Sequence, residues 1–111
     1  MNLLGKILKI VLLGIAGLVV LVSILFGHRD KPVETLAAQY AGPPSAFLPV
    51  AGMEVHYRDE GDPQDSLPIV LIHGTGASLH TFEGWAQALK SRKRVIRMDL
   101  PAFGLTGPFP D

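Results

Sequence analysis

"IVLIHGTGASLHTFEGW", residues 69–85, is the stretch from which the fold can be read. Four apolar residues, Ile69 to Ile72, run without a break into His73-Gly74-Thr75-Gly76. The run does not alternate, which is the pattern of a strand buried on both faces of a sheet. Beyond the glycine turn, Leu79, Phe82, Trp85, Ala86 and Leu89 recur at near-helical spacing and predict a helix ending near Ser91. Lys90, Arg92 and Lys93 then stand where a helix C-terminus favours cations. "RVIRMDL", residues 94–100, supplies the next strand. A strand, a crossover helix and a strand in this order imply a parallel pair with a right-handed connection.

Upstream, "FLPVAGMEVHYRDEG", residues 47–61, reads as two strands joined at Ala51-Gly52. Met53, Val55 and Tyr57 fall on one face, and Glu54, His56 and Arg58 on the other, the alternation of a half-buried antiparallel strand. The apolar set is expected to face the core and the polar set the solvent. The fold class is therefore α/β: an antiparallel hairpin, then β-α-β, in a domain over residues 45–111. Four strands and one helix are half a fold, because a parallel sheet needs helices on both faces.

Residues 10–26, "IVLLGIAGLVVLVSILF", contain no charge. Seventeen helical residues span about 25 Å, and Leu3 to Lys9, with lysine stems that lie along lipid while their ammonium groups reach the headgroups, extend that length. Residues 1–27 read as a transmembrane signal anchor that meets the lipid bilayer through residues 3–26. No small-x-small cleavage site lies close behind Phe26, so an uncleaved anchor is expected rather than a removed signal peptide. Lys6 and Lys9 precede the apolar core and Arg29 and Lys31 follow it, a bias that places the N-terminus inside and residues 45 onward on the non-cytoplasmic side. Residues 28–44, with Pro43-Pro44, read as a juxtamembrane linker.

Ten basic and ten acidic side chains balance to a formal net charge of zero, without the basic stripe of a nucleic-acid binder. The chain has no cysteine, which excludes a disulfide framework and thiolate metal sites. Nothing in the sequence implies a metal or an organic cofactor.

Three chemistries compete for the turn at residues 73–78. A dinucleotide site is suggested by Gly74-x-Gly76 between a strand and a helix, with Asp99 about 20 residues on. Against it, the third glycine position is taken by Leu79. Ser78 in "GASLH" approaches the Gly-x-Ser-x-Gly nucleophile elbow, but His80 replaces the second glycine, and Ser78 stands where a helix N-cap belongs. The third reading is an oxyanion loop, in which flanking glycines let the chain turn the Thr75 N–H toward an oxygen that becomes negative in the transition state.

With "IVLIHGTGASLHTFEGW" followed by "RVIRMDLPAFGLTG", residues 46 to 111 resemble the opening of an α/β-hydrolase-fold enzyme. In that family one strand ends in His-Gly-x and the following strand ends in Asp-x-x-Gly-x-Gly-x-Ser/Thr. The resemblance implies that the backbone N–H of Thr75 is one oxyanion donor and that His73, Gly74 and Gly76 support its loop. Asp99, Gly104 and Thr106 would form the turn after the strand, with Ala102 where the family usually has glycine.

The family's nucleophile, acid and base histidine come later in chain order, and none is found before Asp111. His28, His56 and His80 read as solvated surface histidines. The expectation is the N-terminal part of a membrane-anchored hydrolase of an ester or related bond, inactive as a 111-residue chain. Its substrate would be a small molecule, of apolar character by association with the membrane. Epoxide or haloalkane hydrolysis by an aspartate nucleophile, and a non-catalytic binding protein, are the family's other classes.

Overall fold

The structure, a computed structural model, describes residues 2–110 and divides into two compact units between Asp30 and Lys31. The first is a single helix, α1 (Leu3–Phe26), 24 residues long. At the helical rise it extends about 36 Å, enough for the roughly 30 Å hydrocarbon core of a bilayer. Asn2 caps it by accepting the Gly5 N–H at 2.9 Å. Ser23, the one hydroxyl in its apolar run, donates back to the Val19 carbonyl at 2.8 Å and so needs no water. No side chain of α1 is buried, and the mean hydropathy of its most apolar window is 2.8. The helix is long and apolar enough to cross a membrane.

The second unit begins with α2 (Val33–Tyr40), two helical turns inside the segment read from sequence as a linker. It leads into β1 (Ser45–Val50), β2 (Met53–Glu60) and β3 (Ile69–Ile72). A 3-10 turn (Leu79–Phe82) runs into α3 (Glu83–Leu89), and β4 (Val95–Met98) follows. The expected helix thus starts as a 3-10 turn and ends at Leu89. The sheet order is β1-β2-β4-β3, with β1/β2 and β2/β4 antiparallel and β3/β4 parallel. The hairpin and the β-α-β unit are those read from the sequence. Ala51 and Gly52, at φ +49° and +81°, form the two-residue turn with positive φ at both positions that matches the twist of a hairpin.

At the start of β2 the expected faces hold, with Met53 buried and Glu54 exposed, but from His56 onward they are inverted relative to the expectation. His56, Arg58 and Glu60 are buried, with His56 fully enclosed, while Val55 and Tyr57 are only half-buried. Register explains the inversion. Arg58 lies opposite Arg97 and Glu60 opposite Val95, so one face gathers His56, Arg58, Glu60, Val95 and Arg97 beneath the 3-10 turn and α3. There the charges find partners, which is the condition for burying them. The opposite face is apolar and open, and it lines a groove of about 380 Å³ that includes Leu48, Val50, Val55, Ile96 and Met98.

The same asymmetry corrects two further expectations. Val70 and Ile72 point to the open face and are 48% and 58% exposed, so β3 is covered on one side only. Trp85 is 65% exposed, whereas Leu79 and Ala86 carry the contact with the sheet at 0% exposure. A short helix offers a narrow buried stripe, and Ala86, one residue on, takes it.

Candidate functional site

The loop between β3 and the 3-10 turn begins at His73, which is buried. Its Nε2 lies 3.0 Å from the Leu100 N–H, a donor, so Nε2 accepts and the proton sits on Nδ1. Nδ1–H then donates to the Gly74 carbonyl at 2.8 Å. The Phe103 ring meets the imidazole edge-on, with centroids 5.6 Å apart. Gly76 has φ +74°, and the Ala77 N–H closes the turn on the Gly74 carbonyl at 3.3 Å. Thr75, between the two glycines, is exposed, and among the described residues its N–H has no hydrogen-bond partner. Ser78 caps the 3-10 turn, its Oγ accepting the His80 N–H at 3.3 Å, the N-cap role anticipated for it.

Asp99, directly after β4, is 1% exposed and fully occupied. Oδ1 accepts the Leu79 N–H at 2.7 Å. Oδ2 accepts the Leu105 N–H at 2.9 Å and the His56 Nδ1–H at 2.7 Å. Burial works to raise its pKa, but the bonds from His56, Leu105 and Leu79 outweigh it and hold the carboxyl below its ordinary value. A ribose hydroxyl would need an outward carboxylate, so the dinucleotide reading fails at Asp99.

Thr106 continues the network, its hydroxyl donating to the Asp99 carbonyl and accepting the His56 N–H, both at 2.9 Å. Gly104 packs so closely that a Cβ there would collide with the Asp99 carboxylate. Ala102 does adopt a glycine-type φ of +65°.

His56 is therefore not a surface histidine. Its Nε2 lies 2.8 Å from Ser45 Oγ, and Phe47 stacks on its ring at 5.1 Å. Ser45, His56 and Asp99 stand in the hydrogen-bonding order of a serine-histidine-aspartate triad. The surroundings argue against catalysis there. Ser45 Oγ already accepts Arg58 Nε–H at 2.9 Å, His56 has no exposed surface, and neither residue lines the apolar groove on the open face of the sheet. His80 is likewise half-buried, its Nε2 without a partner among the described residues. Burial, and then the Arg58 charge, lower its pKa.

Beneath α3 lies an ion-pair network that periodicity did not reveal. Arg97, fully buried, donates Nη2–H to Glu60 at 2.7 Å and Nη1–H to Glu83 at 2.8 Å. Arg58 donates Nη1–H to the same Glu83 oxygen at 3.1 Å and Nη2–H to the Tyr40 carbonyl at 3.3 Å, which ties α2 to the sheet. A cleft of about 610 Å³ opens beside this network, lined by Pro43, Pro44, Arg58, Glu60, Glu83 and Lys90 among others, and not by the Thr75 loop. The signal in the sequence was the row His56, Arg58, Glu60 at alternate positions of one strand.

A His-Gly turn after β3, tied to an Asp-headed turn after its parallel neighbour β4, places the chain in the α/β-hydrolase fold, of which it carries part. It is similar to the Cif epoxide hydrolase from Acinetobacter nosocomialis, at 29% identity and a TM-score of 0.55 over 72% of this chain and 28% of that one. It is also similar to a membrane phospholipase A described as a bacterial virulence factor, at 28% identity and a TM-score of 0.56 over 91% of this chain and 32% of that one. A putative lipase from Acinetobacter baumannii matches at 28% identity and a TM-score of 0.57 over 78% of this chain and 29% of that one. The chain thus spans about a third or less of the length of these solved chains. No protein-family model matches it, and no curated protein does.

Proposed function

We propose that this chain is the N-terminal portion of a membrane-anchored hydrolase of an ester or related bond, with the Thr75 N–H as one donor to the oxyanion. The observation that carries the reading is Thr75, exposed between two glycines with its N–H unengaged among the described residues, on a loop anchored by His73 and Leu79. A serine supplied by a later segment attacks the substrate carbonyl, and the oxygen that gains charge accepts the Thr75 N–H. Helix α1 holds the domain at the bilayer, with residues 45 onward on the non-cytoplasmic side. The likeness to a membrane phospholipase A over 91% of this chain supports an apolar ester as the substrate class.

Turnover of p-nitrophenyl esters of rising chain length by the complete protein tests the reading. Thr75→Pro removes the donor and is expected to lower kcat by about 10²- to 10³-fold. Ser78→Ala removes a cap and is expected to cost at most about 1 kcal/mol of stability while sparing activity. Loss of activity in Ser78→Ala with retention in Thr75→Pro sinks the oxyanion assignment. The likeness to an epoxide hydrolase supports a second reading, in which an aspartate nucleophile opens an epoxide. Epoxide opening without ester turnover decides for that reading.

A further inference from the structure

Thr75 has no hydrogen bond of its own among the described residues, so its orientation is set where the loop is anchored. At the loop's start, His73 Nε2 accepts the Leu100 N–H at 3.0 Å. At its end, Asp99 Oδ1 accepts the Leu79 N–H at 2.7 Å. Both anchors belong to the same turn after β4. Asp99 Oδ2 also takes the Leu105 N–H and the His56 ring N–H, so one buried carboxylate joins the loop, the turn and β2. Bonds to an ionised carboxylate are roughly twice as strong as neutral ones.

His56 is fixed in turn by Ser45 Oγ at 2.8 Å and by the stacked Phe47 ring. It therefore cannot rotate away from Asp99 without breaking both contacts. Gly104 lets the turn close directly over the carboxylate, where any side chain would collide.

We infer that Asp99, held by His56, is a positioning residue that fixes the Thr75 N–H through the Leu79 amide. The inference rests on the oxyanion reading above. Donors stabilise a transition state only when they are already aimed, and a displacement of about 1 Å costs on the order of 10²-fold in rate. Asp99→Asn keeps the shape but turns an acceptor oxygen into a donor amide, so it cannot satisfy all three N–H groups.

The test is made in the complete protein. Asp99→Asn is expected to lower kcat on the order of 10²-fold with KM within about twofold, because alignment and not substrate binding is lost. Without substrate, the Leu79 and Leu105 amides should exchange hydrogen faster while the β1–β2 hairpin amides keep their protection. Where Asp99→Asn fails to fold, His56→Gln keeps both amide acceptors but loosens the carboxylate that supplies them, and should show a smaller kcat loss with a smaller rise in exchange at the Leu79 and Leu105 amides. Thr75→Pro separates the two claims. If it abolishes turnover while folded Asp99→Asn or His56→Gln retains full kcat, the positioning role is overturned and the oxyanion reading stands. If Thr75→Pro and Asp99→Asn both leave kcat unchanged, the oxyanion reading falls and the positioning role falls with it.

Discussion

Arg58 and Arg97 face each other directly across β2 and β4, two like charges on one buried face of the sheet. Opposed like charges destabilise a strand pair unless something bridges them. The bridge is Glu83, at the start of α3, whose Oε2 accepts from both guanidiniums at 3.1 and 2.8 Å. One carboxylate thus lets the sheet close and docks the helix. Its bonds to Arg97 and Gln87, which outweigh the opposing effect of burial, lower its pKa from 4.5 to about 2. A carboxylate depressed in the folded state contributes stability above its unfolded pKa and loses it as pH falls through its folded one. Glu83→Gln is expected to lower the melting temperature at neutral pH, and the gap to wild type should close between pH 4.5 and about 2. Melting curves that stay parallel across that range contradict the role given to Glu83.

Arg97→Met leaves Glu60 buried with only Lys90, at 3.6 Å, as a cation partner. Removing one member of a buried pair costs about 3–5 kcal/mol, whereas replacing both by apolar groups is close to neutral. Urea denaturation should place Arg97→Met in that range and the double variant Arg97→Met/Glu60→Leu well above it in stability. A double variant no more stable than the single one would show that the guanidinium contributes by packing rather than by charge.

Ala51 and Ala102 hold φ of +49° and +65°, a region that costs a residue with a Cβ roughly 1–2 kcal/mol. Ala51→Asn, giving the Asn-Gly pair that such a hairpin turn favours, is expected to stabilise by about 0.5–1 kcal/mol. Ala102→Gly should gain a similar or smaller amount, because glycine also loses more freedom on folding. Thermal melts that fall on either substitution contradict the strain.

For the membrane helix, the proposed orientation gives an alkaline phosphatase fusion behind residue 111 that is active and a green fluorescent protein fusion that is dark. The reverse pattern refutes the orientation and leaves the anchor standing. A soluble fusion lacking residues 1–30 refutes the anchor itself.

How much was legible in the sequence follows from the range of each interaction. The apolar run of α1, the Ala51-Gly52 turn, the order of strands around one helix and the Ser78 cap depend on neighbours a few residues apart, and each stood in the sequence. The pair of motifs at His73-Gly74 and Asp99 was legible for the same reason, since each is a local turn. Alternation along β2 divided its side chains into two faces correctly. It could not say which face is covered, because that depends on partners contributed from elsewhere in the chain.

His56 is buried because Asp99, 43 positions on, accepts the hydrogen bond of its ring N–H. Arg58 is buried because Glu83, 25 positions on, meets it, and Glu60 because Arg97, 37 positions on, does. Only the sheet register and the docking of α3 bring these groups within 3.1 Å. A charged side chain read alone belongs in water, and only a partner already in place makes its burial favourable. The sequence by itself therefore determined α1, the four strands and the helix between β3 and β4 in their order, though not α2, and tertiary structure decided which face of the sheet became the core.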